Sequence, residues 1–125
     1  MSARIVTLGL ALLLAGTATA EAHAFLRTAT PPVGATVAAP PKEVAITFTE
    51  GVEPKFSTIE VRDAGGTRVD RADPHNPPGI RTRLIVSLGA LKPGLYSVSW
   101  SAISVDTHHT EGKFTFTVAP PGTAP

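Results

Sequence analysis

The sequence has no cysteine, and its only methionine is Met1. Without cysteine no disulfide can staple the fold, so a packed core has to hold it alone. With no sulfur donor beyond Met1, soft coordination is excluded, and any metal bound here must sit among nitrogen and oxygen ligands. Histidine is scarce as well, with four residues at positions 23, 75, 108 and 109. There is no basic run either: 11 Lys and Arg are scattered among 10 Asp and Glu for a formal net charge of +1, which argues against a nucleic-acid partner.

One long apolar run is present. Arg4 precedes residues 5–16, which are rich in Leu and Ala, and Ala20-Glu21-Ala22 follows with the small-x-small pattern of a signal-peptide cleavage site. The run is shorter than the roughly 20 residues a membrane-spanning helix needs, which favours cleavage over anchoring. Cleavage after Ala22 would leave His23 as the new N-terminus, although Ala18-Thr19-Ala20 and Ala22-His23-Ala24 satisfy the same pattern. The expected organisation is a signal peptide at 1–22, one soluble domain at 23–119 and a disordered Pro-rich tail at 120–125, in a protein exported to the periplasm or beyond.

Within 23–119 the apolar residues recur with period two, the spacing of a half-buried strand. Val44, Ile46 and Phe48 share one face of 44–49, and Ile59 and Val61 share one face of 56–62. Leu84, Val86 and Leu88 repeat the pattern, followed by Tyr96, Val98 and Trp100, then by Phe114, Phe116 and Val118. Turn formers separate these segments, as at Asp63-Ala64-Gly65-Gly66 and Lys92-Pro93-Gly94. The proline pairs 31–32 and 40–41 bracket a loop, and three prolines within 73–79 rule out a central strand there. No sustained helical period occurs in this region. Spaced strands of this kind predict an all-β domain, an immunoglobulin-like Greek-key β-sandwich or barrel. Leu91-Lys92-Pro93-Gly94-Leu95-Tyr96 has the form of a tyrosine corner, which makes Tyr96 structural, and Trp100 falls on the core face of its strand.

Two places carry metal-binding chemistry. An N-terminal histidine offers its α-amine and ring Nδ1 together, so His23 would supply two nitrogen ligands to one ion. In the segment Ser104-Val105-Asp106-Thr107-His108-His109-Thr110, an extended backbone would turn Asp106 and His108 to the same side. Joining the two places gives three nitrogens and one carboxylate oxygen, a set that suits tetragonal Cu(II).

These segments, in this order, resemble the CopC family of periplasmic copper-resistance proteins. The resemblance covers 23–118: His23-Ala24-Phe25-Leu26 with Thr30-Pro31-Pro32-Val33-Gly34-Ala35, the strand at 44–50, Leu91 to Trp100, and Ser104-Val105-Asp106-Thr107-His108 through Gly112 to Val118. It implies a Cu(II) site made from the amine and imidazole of His23 with Asp106 and His108. It also implies a role for Glu50 as an acceptor that steadies the ring of His23. Thr107-His108-His109 departs from the family's commoner Gly-His-Pro, which leaves His109 as an alternative ligand. The Met-rich stretch that some members use for Cu(I) is missing, so a Cu(II)-only member is implied, and His75 reads as an ordinary loop residue.

The implied function is sequestration or delivery of copper without catalysis, by a monomer whose partner is an inner-membrane protein of the CopD kind. Two other classes compete. A histidine brace also serves copper-dependent oxidases and monooxygenases, and a metal-free immunoglobulin-like interaction module would need no ligands. An Asp in the coordination set disfavours the oxidase reading, because it occupies a position oxygen would need.

Overall fold

The computed structural model describes residues 24–122; the expected signal peptide, His23 and residues 123–125 lie outside them. Seven strands follow in order: β1 (Leu26–Thr30), β2 (Thr36–Val37), β3 (Glu43–Phe48), β4 (Thr58–Arg62), β5 (Arg83–Ser87), β6 (Gly94–Ile103) and β7 (His109–Val118). They form a three-stranded sheet ordered β1-β3-β5 and a four-stranded sheet ordered β2-β7-β6-β4. From β1 to β5 each strand changes sheet, and only β6 and β7 form a hairpin within one. The pairings are antiparallel except β2 with β7. This is the expected immunoglobulin-like sandwich.

The period-two residues make the core. Val44, Ile46, Phe48, Leu84 and Val86 are buried from one sheet, and Ile59, Val61, Val98, Trp100, Phe114, Phe116 and Val118 from the other. Register puts Ile46 beside Leu84 and places Val98 between Val61 and Phe114. Each large side chain so buried contributes about 1.5–3 kcal/mol. Trp100 meets Phe48 across the sheets edge to face, with ring centroids 5.1 Å apart. Its indole also lies over Gly112, where a Cβ would stand 2.7 Å from the ring, so only glycine fits. Tyr96 donates its hydroxyl to the Lys92 carbonyl at 2.6 Å and stacks on Phe116, which is the tyrosine corner.

Differences from the sequence reading lie at the edges. Phe56 is in a 3-10 turn (Pro54–Phe56) and 67% exposed, so the strand expected from 56 starts at Thr58. Two strands had no apolar alternation to reveal them. β1 pairs with β3 alone and buries little, and β2 is a two-residue parallel rung on β7 inside the proline-bracketed loop. His75 exchanges backbone hydrogen bonds with Ile85 at 3.0 and 2.9 Å, an edge contact that fits a segment barred from a central strand.

The connection from β4 to β5 is anchored by Asp70, whose side chain is wholly buried. Its carboxylate accepts from the Val61 and Ala72 amides at 2.8 and 3.0 Å and from Nε and Nη2 of Arg68 at 2.9 Å each. Burial pushes its pKa up, but the Arg68 guanidinium and the amides outweigh that and hold it below the usual carboxylate range.

Candidate metal centre

Three segments converge at one end of the sandwich. The entry to β1 lies along the exit of β3, because the Phe25 amide donates to Thr49 Oγ1 at 3.0 Å and the Thr49 amide to the Phe25 carbonyl at 2.9 Å. The β6–β7 connection docks on the same exit: Val52 bridges Ser104, and the Val105 amide donates to the Gly51 carbonyl at 3.0 Å. Gly51 permits that approach, since a Cβ there would lie 3.2 Å from Val105 Cγ1 and 3.3 Å from Arg81 Cβ. The third tie runs from Thr110, at the start of β7, whose hydroxyl donates to the Ala24 carbonyl at 2.5 Å. Ala24 is fully buried and belongs to the core. Its position is therefore fixed from both flanks.

The β6–β7 connection is a tight turn, not the extended segment assumed from sequence. The Thr107 amide donates to the Ser104 carbonyl at 2.8 Å, and the Ser104 amide to the His108 carbonyl at 2.9 Å. Thr107 adopts φ 71°, an uncommon and strained conformation for a β-branched residue. Asp106 and His108 still meet, now across the turn: His108 Nδ1 lies 3.2 Å from Asp106 Oδ1, with the two side chains 54% and 37% exposed respectively. A carboxylate and an imidazole thus face solvent side by side, beside the segment that leads to Ala24.

Below them sits Ser104, fully buried. Its hydroxyl donates to Asp106 Oδ1, and its oxygen lies 3.3 Å from both the carbonyl and the amide of His108. The Ser104 hydroxyl is the main reason the Asp106 carboxyl is held below its ordinary pKa. Desolvation opposes this, and the ring and amide of His108 reinforce it.

His109 goes elsewhere. It is the first residue of β7, and its Nε2 lies 2.8 Å from Ser101 Oγ and 3.8 Å from Glu111 Oε1, on the outer face of the four-stranded sheet. Glu50, half-buried, lies between Thr49 and Gly51, on the stretch where both other segments dock. His23 lies outside the described residues, so Asp106 and His108 are the two expected ligands that can be located. Among the described residues no group of three or more His, Asp or Glu could hold a metal ion. Ser104 and Thr110 add to the site residues expected from sequence. A Ser two residues before an Asp is a local turn signal and could have marked Ser104. Thr110 had no such mark, because its partner is 86 residues away.

Residues 26–119 match the model of the CopC domain. The chain belongs to the CopC family. Protein YobA of Escherichia coli K12 is 37% identical over 98 residues, which is 78% of this chain and 79% of that protein. Copper resistance protein C of Escherichia coli is 33% identical over 109 residues, covering 79% of this chain and 83% of that one. The crystal structure of CopC from Methylosinus trichosporium OB3b superposes with a TM-score of 0.76 at 35% identity, covering 82% of this chain and 100% of that one. The turn shows what one departure from the CopC pattern costs. Thr107 stands at the position where the family more often has Gly, and that position has positive φ, which glycine adopts without strain.

Proposed function

We propose that this CopC-family chain is a periplasmic copper-binding protein that takes one Cu(II) ion for sequestration or delivery. In this reading, removal of a signal peptide at 1–22 frees the amine of His23. That amine and the His23 imidazole grip the ion together with the Asp106 carboxylate and the His108 imidazole. Glu50 steadies the His23 ring, and His109 stays outside the set. The observation that carries the proposal is the clamp of Thr110 on the Ala24 carbonyl, which fixes the covalent neighbour of His23 on the strand that leaves the Asp106–His108 turn. The donor chemistry agrees, since nitrogen and carboxylate oxygen suit Cu(II), while a sequence whose only sulfur is Met1 gives Cu(I) no soft ligand.

Release follows from the same chemistry. The amine and both imidazoles must be deprotonated to bind, so acidification frees the ion, and reduction weakens its hold. A CopD-like inner-membrane protein is the natural recipient by family analogy. Calorimetric titration of the chain beginning at His23 should show one Cu(II) per chain, and ascorbate should drive the ion to a Cu(I) chelator. Copper that stays bound as firmly after reduction would contradict the release mechanism, and no uptake would contradict the site.

A further inference from the structure

Ser57 and Ser104 are the two buried serines among the described residues, and each has a definite task. Ser57 Oγ accepts the Ile103 amide at 3.0 Å, tying the start of β4 to the end of β6. Ser104, one residue further along, is fixed through its backbone by the Val52 bridge and by its bonds to Thr107 and His108. Its hydroxyl is thus free of any role in pairing strands and is spent on Asp106 and on the backbone of His108.

We infer that Ser104 is the positioning residue of the metal centre: a rigid buried hydroxyl that sets where the Asp106 carboxylate and the His108 ring stand relative to each other. The inference rests on the Cu(II) reading of this turn and adds a residue to it. Both side chains are about half exposed, and the other partners of Asp106 Oδ1, the His108 ring at 3.2 Å and amide at 3.4 Å, belong to the same surface turn, so Ser104 is the buried group among them. With the hydroxyl in place Oδ1 is held inward. One carboxylate orientation is then presented to the ion, and the amide of His108 is fixed at the same oxygen. Groups that orient ligands in this way typically contribute about 10- to 100-fold to metal affinity.

Matched substitutions of the two buried serines test it. In the chain beginning at His23, Ser104→Ala should lower Cu(II) affinity by about tenfold or more in a chelator competition. It should also shift the hyperfine coupling of the Cu(II) EPR spectrum. Ser57→Ala removes a buried hydroxyl next to the same turn but touches no ligand, so it should lower the melting temperature while leaving affinity and spectrum unchanged. Ser104→Thr keeps the oxygen and should bind like the wild type, whereas the isosteric Ser104→Val should lose about tenfold, a pair that isolates the hydroxyl even if Ser104→Ala fails to fold. Unchanged affinity in Ser104→Ala, an equal loss in Ser57→Ala, or a tenfold loss in a stably folded Ser104→Thr would overturn the role of Ser104 and leave the site standing. Absence of binding by the wild type would remove both.

Discussion

Asp70 and Asp106 both sit in connections between strands, both have depressed carboxyl pKa values, and they are held in opposite ways. Asp70 is wholly buried and surrounded by the Arg68 guanidinium and two backbone amides. Asp106 is 37% exposed and steadied from beneath by one neutral hydroxyl, with an imidazole beside it. The first arrangement uses up the carboxylate for the fold. The second orients it and leaves it facing solvent, which is what a ligand requires. Charge and residue type are the same in the two places, and the donors around each decide its use.

The comparison breaks most visibly if the two aspartates are removed in turn. Asp106→Ala should reduce Cu(II) affinity by at least about 100-fold, beyond the usual loss of an orienting group, while the melting temperature stays near that of the wild type. Asp70→Ala should do the reverse, leaving affinity intact and costing about 1–3 kcal/mol of stability, because the part-buried Val61 amide then loses its acceptor. Equal effects of both on binding would erase the distinction. Acid sharpens it further. The folded pKa of Asp70 is lowered, so its stabilising contribution is complete above the unfolded value of about 4 and is lost as pH falls through the folded value. Asp70→Asn should therefore flatten the acid limb of a stability-versus-pH curve measured by urea unfolding.

A smaller effect is expected at Thr110. Replacing it with Val keeps the shape and deletes the donor to Ala24, so copper affinity should fall by about tenfold with a modest loss of stability. The smallest is expected at Thr107, where glycine relieves the positive φ. Thr107→Gly should raise stability by about 1 kcal/mol in chemical denaturation, whereas the same change at an ordinary loop position would lower it.

The sandwich was legible because five of its strands bury one face, and burial writes a period of two into the residues. Val44, Ile46 and Phe48 declare a strand without reference to any other segment. β1 and β2 did not, since they satisfy their backbones by pairing while burying few side chains. The centre was legible in part. Asp106 and His108 stood out by type and spacing, and they come together, but through a turn and not through the extended backbone assumed for them. Thr110 was silent because the partner of its hydroxyl is set by tertiary structure, whereas Ser104 bonds within its own turn and carried only the weak signal of a serine two residues before an aspartate.

Everything about the centre depends on the free amine of His23. The most direct measurement compares Cu(II) affinity and EPR of the chain beginning at His23 with those of the same chain acetylated at its N-terminus. That addition turns the amine into an amide and changes nothing within 24–122. The expected result is a loss of at least about 100-fold with a changed spectrum, since an orienting group alone accounts for up to that much and a direct ligand for more. Equal affinity and an identical spectrum in the two chains would contradict the proposed centre.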